Sequence, residues 1–97
     1  MKILNERGKI TIRKQEWAYG YGDAGVTNGQ PNDGICEYDV CRIIIRRRGR
    51  SRSLLNVVAH EVAHAFFPSA REGQIERFSR AFEQIYSDFS KPAKRAG

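Results

Sequence analysis

Hydrophobic and polar positions change period once along this chain, near residue 50. Before that point the period is two. Lys2 to Asn5 reads as a short strand, and Gly8 to Arg13 alternates Ile10 and Ile12 with Lys9, Thr11 and Arg13, as a half-buried strand does. Residues 19–34 hold Gly20, Gly22, Gly25, Gly29 and Gly34 among Asn28, Pro31, Asn32 and Asp33, which predicts a long loop or a wide hairpin connection. Ile35 to Arg46 is rich in β-branched residues and free of Gly and Pro, so it reads as one strand. From Ser51 the spacing becomes helical. Leu54, Leu55, Val58, Val62, Ala65 and Phe66 share a face, Ser51 or Ser53 can cap the start, and Pro68 ends the helix. Ser69 then opens a second helix, with Glu72 three residues on as a capping-box partner. Its apolar stripe is Ile75, Phe78, Phe82, Ile85, Tyr86 and Phe89, and Pro92 closes it. The prediction is one α+β domain over residues 1–97: a small antiparallel or mixed sheet in 1–47, helices at 51–67 and 69–90, and a basic, frayed tail at 91–97.

Composition narrows the class. Ninety-seven residues allow one domain with a small core. Hydrophobic residues at 40% and charged residues at 29% suit a globular chain. No apolar run reaches the roughly 20 residues of a membrane span, and MKILNERGKI lacks a signal-peptide run, so the expectation is a cytoplasmic protein with no membrane role. Two cysteines, Cys36 and Cys41, are too few for a disulfide framework and are expected as reduced thiols. The net charge of +6 is local. Arg42, Arg46, Arg47, Arg48, Arg50 and Arg52 account for it, and without them the remaining basic and acidic residues balance at 11 each. Arg46, Arg47, Arg48 and Arg50 are therefore the partner-binding candidates, for an acidic chain or a nucleic acid; the plainer reading is a solvated loop.

The chemistry lies in His60-Glu61-Val62-Ala63-His64, an H-E-x-x-H inside the first predicted helix. Residues four apart share a helix face, so both imidazoles can reach one Zn2+ ion. Glu61 is then placed to act as general base on a zinc-bound water. With two histidines in the chain, roughly one arrangement in 700 makes this string by chance. The third ligand must be a carboxylate or a thiolate, since no third histidine exists. If the helices fold back around Phe67 to Ser69, the level of residue 62 mirrors positions near 75. Glu76 fits that level better than Glu72, which is also the natural cap partner of Ser69, so Glu76 is favoured and Glu72 is the alternative. Ser79, three residues after Glu76, is small enough to let the helices approach. Tyr19, Tyr21 and Tyr86 are oxyanion-stabiliser candidates by residue type alone.

HEVAH with a glutamate on the next helix resembles the gluzincin type of zinc peptidase. More closely, residues 43–82 resemble small phage and prophage proteins of SprT-like or minimal-gluzincin type. The shared features are a strand before H-E-x-x-H-A and an E-x-x-x-E-R stretch, here Glu72 to Arg77, opening the next helix. Trp17-Ala-Tyr-Gly-Tyr-Gly resembles an upstream aromatic-glycine segment of the same proteins. Where those proteins often carry a second acid, this chain has Gly73. The resemblance implies a zincin-like fold, a peptide or protein substrate and, for a phage-encoded chain, the bacterial host cytosol. It also implies that Val40 to Arg46 is the edge strand along the cleft, with the arginine run at one mouth. Two other readings stay open. Cys36, Cys41, His60 and His64 have loosely finger-like spacing, which would make a structural zinc site in a nucleic-acid-binding module. A peptidase-like fold that captures a host factor without turnover is the third.

Overall fold

A computed structural model describes residues 3–92. The chain forms β1 (Leu4–Ile12), β2 (Gln15–Gly22), β3 (Val26–Thr27), β4 (Gln30–Pro31), β5 (Gly34–Glu37), β6 (Arg42–Ile45), α1 (Leu54–Phe66) and α2 (Glu72–Ser90). Four strands make one mixed sheet in the order β1-β2-β6-β5, while β3 and β4 form a separate ribbon. The sheet-then-helical-hairpin plan of an α+β domain is thus present. Among the described residues, no helix is long and apolar enough to cross a membrane.

The two N-terminal segments are joined in a single strand over Leu4–Ile12, while Lys2 lies outside the described residues. β1 runs through the predicted gap with a register shift between Glu6 and Gly8, then pairs antiparallel with β2 across a two-residue turn. That turn uses Arg13 and Lys14 at φ of 53° and 65°, a conformation side chains rarely adopt. The expected loop at 19–34 is shorter than predicted. Tyr19 to Gly22 belong to β2, Gly34 begins β5, and Asn28-Gly29 make a tight turn with positive φ between β3 and β4.

Ile35 to Arg46 is not one strand but a hairpin. β5 pairs antiparallel with β6, and Glu37 opposes Arg42, leaving Tyr38 to Cys41 as the turn. Asp39 and a positive φ at Cys41 make that reversal without Gly or Pro. β6 itself pairs parallel with β2, so it lies inside the sheet. β5 is the edge. The expectation that Val40 to Arg46 borders the cleft is corrected accordingly.

Ile12, Trp17, Ile43, Ile45, Val57 and Ala65 form the core between the sheet and α1. Ser53 caps α1, its hydroxyl accepting from the Asn56 amide at 3.1 Å. α2 starts three residues later than predicted. Ser69 lies in the turn, where the Ala70 amide reaches the Phe67 carbonyl at 3.0 Å. Arg71 is the N-cap, and the Gln74 side chain accepts from the Arg71 amide at 3.0 Å. The role foreseen for Glu72 falls to Gln74. Of the apolar stripe on α2, Ile75 alone is buried, beside Ser79; Phe78, Phe82, Ile85, Tyr86 and Phe89 are exposed. The helices approach at Ser79, and their far ends are tied by Glu83, which accepts from Ser53 and Asn56.

Candidate metal centre

Helical spacing brings His60 and His64 together on one face of α1, ring centroids 4.9 Å apart. Because α2 begins at Glu72, that residue is the first of its helix and reaches back to both rings. His60 Nε2 lies 2.6 Å from Glu72 Oε1, and His64 Nε2 lies 3.0 Å from Oε2. One ligand atom from each residue lies within 4.8 Å of the other two. Among the described residues this is the one group of three His, Cys, Asp or Glu side chains so placed.

Glu76, the favoured sequence candidate, is not in this group. It is one turn further on, about 6 Å along the axis, and its carboxylate faces Arg80 at 3.8 Å on the same helix. Mirroring the helices pointed near residue 75, and that position is taken by the buried Ile75.

Glu61 is buried against β5. A Cβ at Gly34 would come within 2.9 Å of both Glu61 Cγ and Val57 Cγ1, so strand and helix pack this closely only because residue 34 has no side chain. Burial pushes the Glu61 carboxyl up to about 7; Arg52 opposes the rise, while Glu72 and Asp33 add to it. Burial lowers the His60 pKa, with Arg52 and His64 acting in the same sense against the pull of Glu72. The lowered pKa favours the neutral ring, the form in which an imidazole can hold a metal.

A cleft of about 470 Å³ opens over these groups. Gly34, Cys36 and Tyr38 form its strand-side wall, with Asp33 and Arg52 at one end. Tyr38 donates its hydroxyl to the His64 carbonyl at 3.1 Å, and its ring meets Trp17 edge-on. Burial and the adjacent Cys36 raise its pKa to about 12, which keeps it a donor. Cys36 is likewise pushed up to about 12, by burial and then by Glu61. Both cysteines are free thiols and neither joins the histidine cluster. Asp33 is buried; burial raises its pKa, but donors from Ser51 and Arg52 outweigh this and hold it below the usual value.

Other sequence candidates lie elsewhere. Tyr19 and Tyr21 line an apolar groove on the far side of α1, and Tyr86 is exposed on α2. Arg46, Arg47, Arg48 and Arg50 do not line the cleft. Arg47 lies over the Tyr21 ring, and Arg50 Nη1 donates to the carbonyls of Arg46 and Arg47. Arg52 is the arginine of the run that reaches the cleft. Tyr38 and Gly34 were missed because their roles depend on the hairpin reversal at residues 38–41, which the unbroken β-branched pattern conceals. No protein-family model, curated protein or solved structure matches the chain.

Proposed function

We propose that this protein is a zinc-dependent peptidase of gluzincin type, with His60, His64 and Glu72 as metal ligands and Glu61 as general base. The observation that carries the reading is the convergence of two Nε2 atoms and one carboxylate beside a buried glutamate with a raised pKa. The donor set suits the metal. Two neutral imidazoles and a carboxylate are a catalytic zinc set that leaves a fourth position open, and their present separations need only small side-chain shifts. When bound, zinc supplies Lewis acidity and lowers the pKa of a coordinated water to about 7.

The chain's own groups divide the remaining work. An extended peptide pairs with the free edge of β5 through its main chain, which sets the scissile carbonyl over the histidines. Glu61 takes a proton at its carboxylate from the attacking water and returns it to the leaving amine. The Tyr38 hydroxyl on the cleft wall becomes the donor for the developing oxyanion once it gives up its bond to the His64 carbonyl. Glu61→Gln should retain zinc and lose at least about 100-fold in peptide cleavage. Undiminished cleavage by the zinc-loaded variant would exclude Glu61 as the base.

A second reading has one observation of its own. The exposed stripe Phe78, Phe82, Ile85 and Phe89 is the kind of surface that captures a protein partner. Capture of a host factor without any metal-dependent turnover would favour it. The finger-type alternative has less support, because neither cysteine stands with the histidines.

A further inference from the structure

Arg52 makes a contact that the proposed chemistry does not use. Its Nε lies 3.3 Å from Asp33 Oδ2, and its Nη1 lies 3.4 Å from Asn56 Oδ1 and 3.2 Å from His60 Nδ1. A guanidinium only donates hydrogen bonds and remains charged. In that contact Nδ1 must accept, so the neutral ring carries its hydrogen on Nε2, where Glu72 Oε1 receives it at 2.6 Å.

Ligation of a metal through Nε2 requires the opposite tautomer. The lone pair must then be on Nε2, and the hydrogen on Nδ1 must find an acceptor such as a carboxylate, a carbonyl or a water. Arg52 offers none. Its charge also repels a divalent cation on the same ring. The Arg52–Nδ1 contact and a metal on Nε2 therefore exclude each other.

We propose that Arg52 is a positioning residue that competes with the metal for His60 and so sets the metal affinity of the site. The inference rests on the metal reading above. Asp33 gives the guanidinium an anchor to keep when it leaves the ring, because the carboxylate is itself fixed by the Ser51 amide and hydroxyl. Asn56, one turn before His60 on the same face, already accepts from Arg52 through Oδ1, and that oxygen becomes free to accept another hydrogen bond when Arg52 leaves.

The test compares wild type with Arg52→Met and Arg52→Gln, each confirmed folded by circular dichroism. Zinc affinity is measured by chelator competition, and the His60 tautomer by nitrogen-15 NMR of the chelator-treated proteins above the ring's titration range. Both variants should bind zinc about tenfold tighter. Wild-type His60 should carry its hydrogen on Nε2, and the variants should lose that preference. Unchanged or weaker zinc binding in both variants would overturn the inference, as would an Nδ1–H tautomer in the wild type. Failure of all three proteins to bind zinc would remove the metal reading and the affinity role with it, while the tautomer result would still show whether Arg52 fixes the ring.

Discussion

α1 and α2 carry apolar faces of the same periodicity, yet they meet different fates. α1 lies on the sheet and buries Val57, Ala59, His60, Glu61, Ala63 and Ala65, although Leu54, Val58 and Phe66 of the stripe expected from the sequence are exposed. α2 buries only Ile75 and Ser79 and leaves Phe89 85% exposed. A hydrophobic period identifies a face; it does not say that anything covers the face. α1 is covered because β5 and β6 lie against it. α2 has 19 residues against the 13 of α1, and it runs on past the Ser53 end of its neighbour. The site is built where both helices are held, at the middle of α1 and the first turn of α2.

The sharpest way to break this contrast is at the metal ligands. Glu72→Ala should lower zinc affinity by more than about 100-fold, while Glu76→Ala should leave it within about threefold of wild type. Chelator competition measures both, and the reverse ranking would refute the register read from the α2 start. Ile75→Ala should cost about 3 kcal/mol in denaturant unfolding, whereas Phe89→Ala should change stability by less than about 0.5 kcal/mol. A large loss at Phe89 would show that the outer stripe is packed against a second molecule.

A smaller, pH-dependent effect separates the two faces further. The folded pKa of Glu61 is raised from 4.5 to about 7, so the fold binds its proton more tightly than the unfolded chain does. This proton linkage leaves stability intact below pH 4.5 and erodes it as the pH rises towards 7. In chelator-treated protein, Glu61→Gln should therefore be more stable than wild type at pH 8, by on the order of 3 kcal/mol at most. The gain should vanish near pH 4.5 in urea titrations. A pH-independent difference would mean that the carboxyl is not desolvated as described.

Local features of the site could be read from the sequence, and features that depend on chain reversal could not. His60, Glu61 and His64 lie within one helical stretch, and four-residue spacing alone aligns them. The third member of the cluster, Glu72, depended on where α2 begins. Ser69 and Glu72 have the residue types of a capping box, but the turn from Phe67 to Ala70 takes up Ser69, and Gln74 makes the reciprocal bond. Glu72 is thereby left free to turn toward the histidines. The edge strand was misplaced for a similar reason. Ile35 to Arg46 has no residue that forces a break, and only pairing between Glu37 and Arg42 reveals the hairpin. That reversal moves the edge to β5 and puts Tyr38 on the cleft wall. The small sheet and two helices, by contrast, followed from the change of period near residue 50.

The central claim is that the metal is held by two imidazoles and the Glu72 carboxylate. Cobalt substitution tests it most directly, because thiolate ligation gives an intense near-ultraviolet charge-transfer band that nitrogen and oxygen ligands do not. The cobalt-loaded protein should show no such band, and its visible spectrum should be lost in Glu72→Ala and kept in Glu76→Ala. A thiolate band that disappears on replacing Cys36 or Cys41 would contradict it.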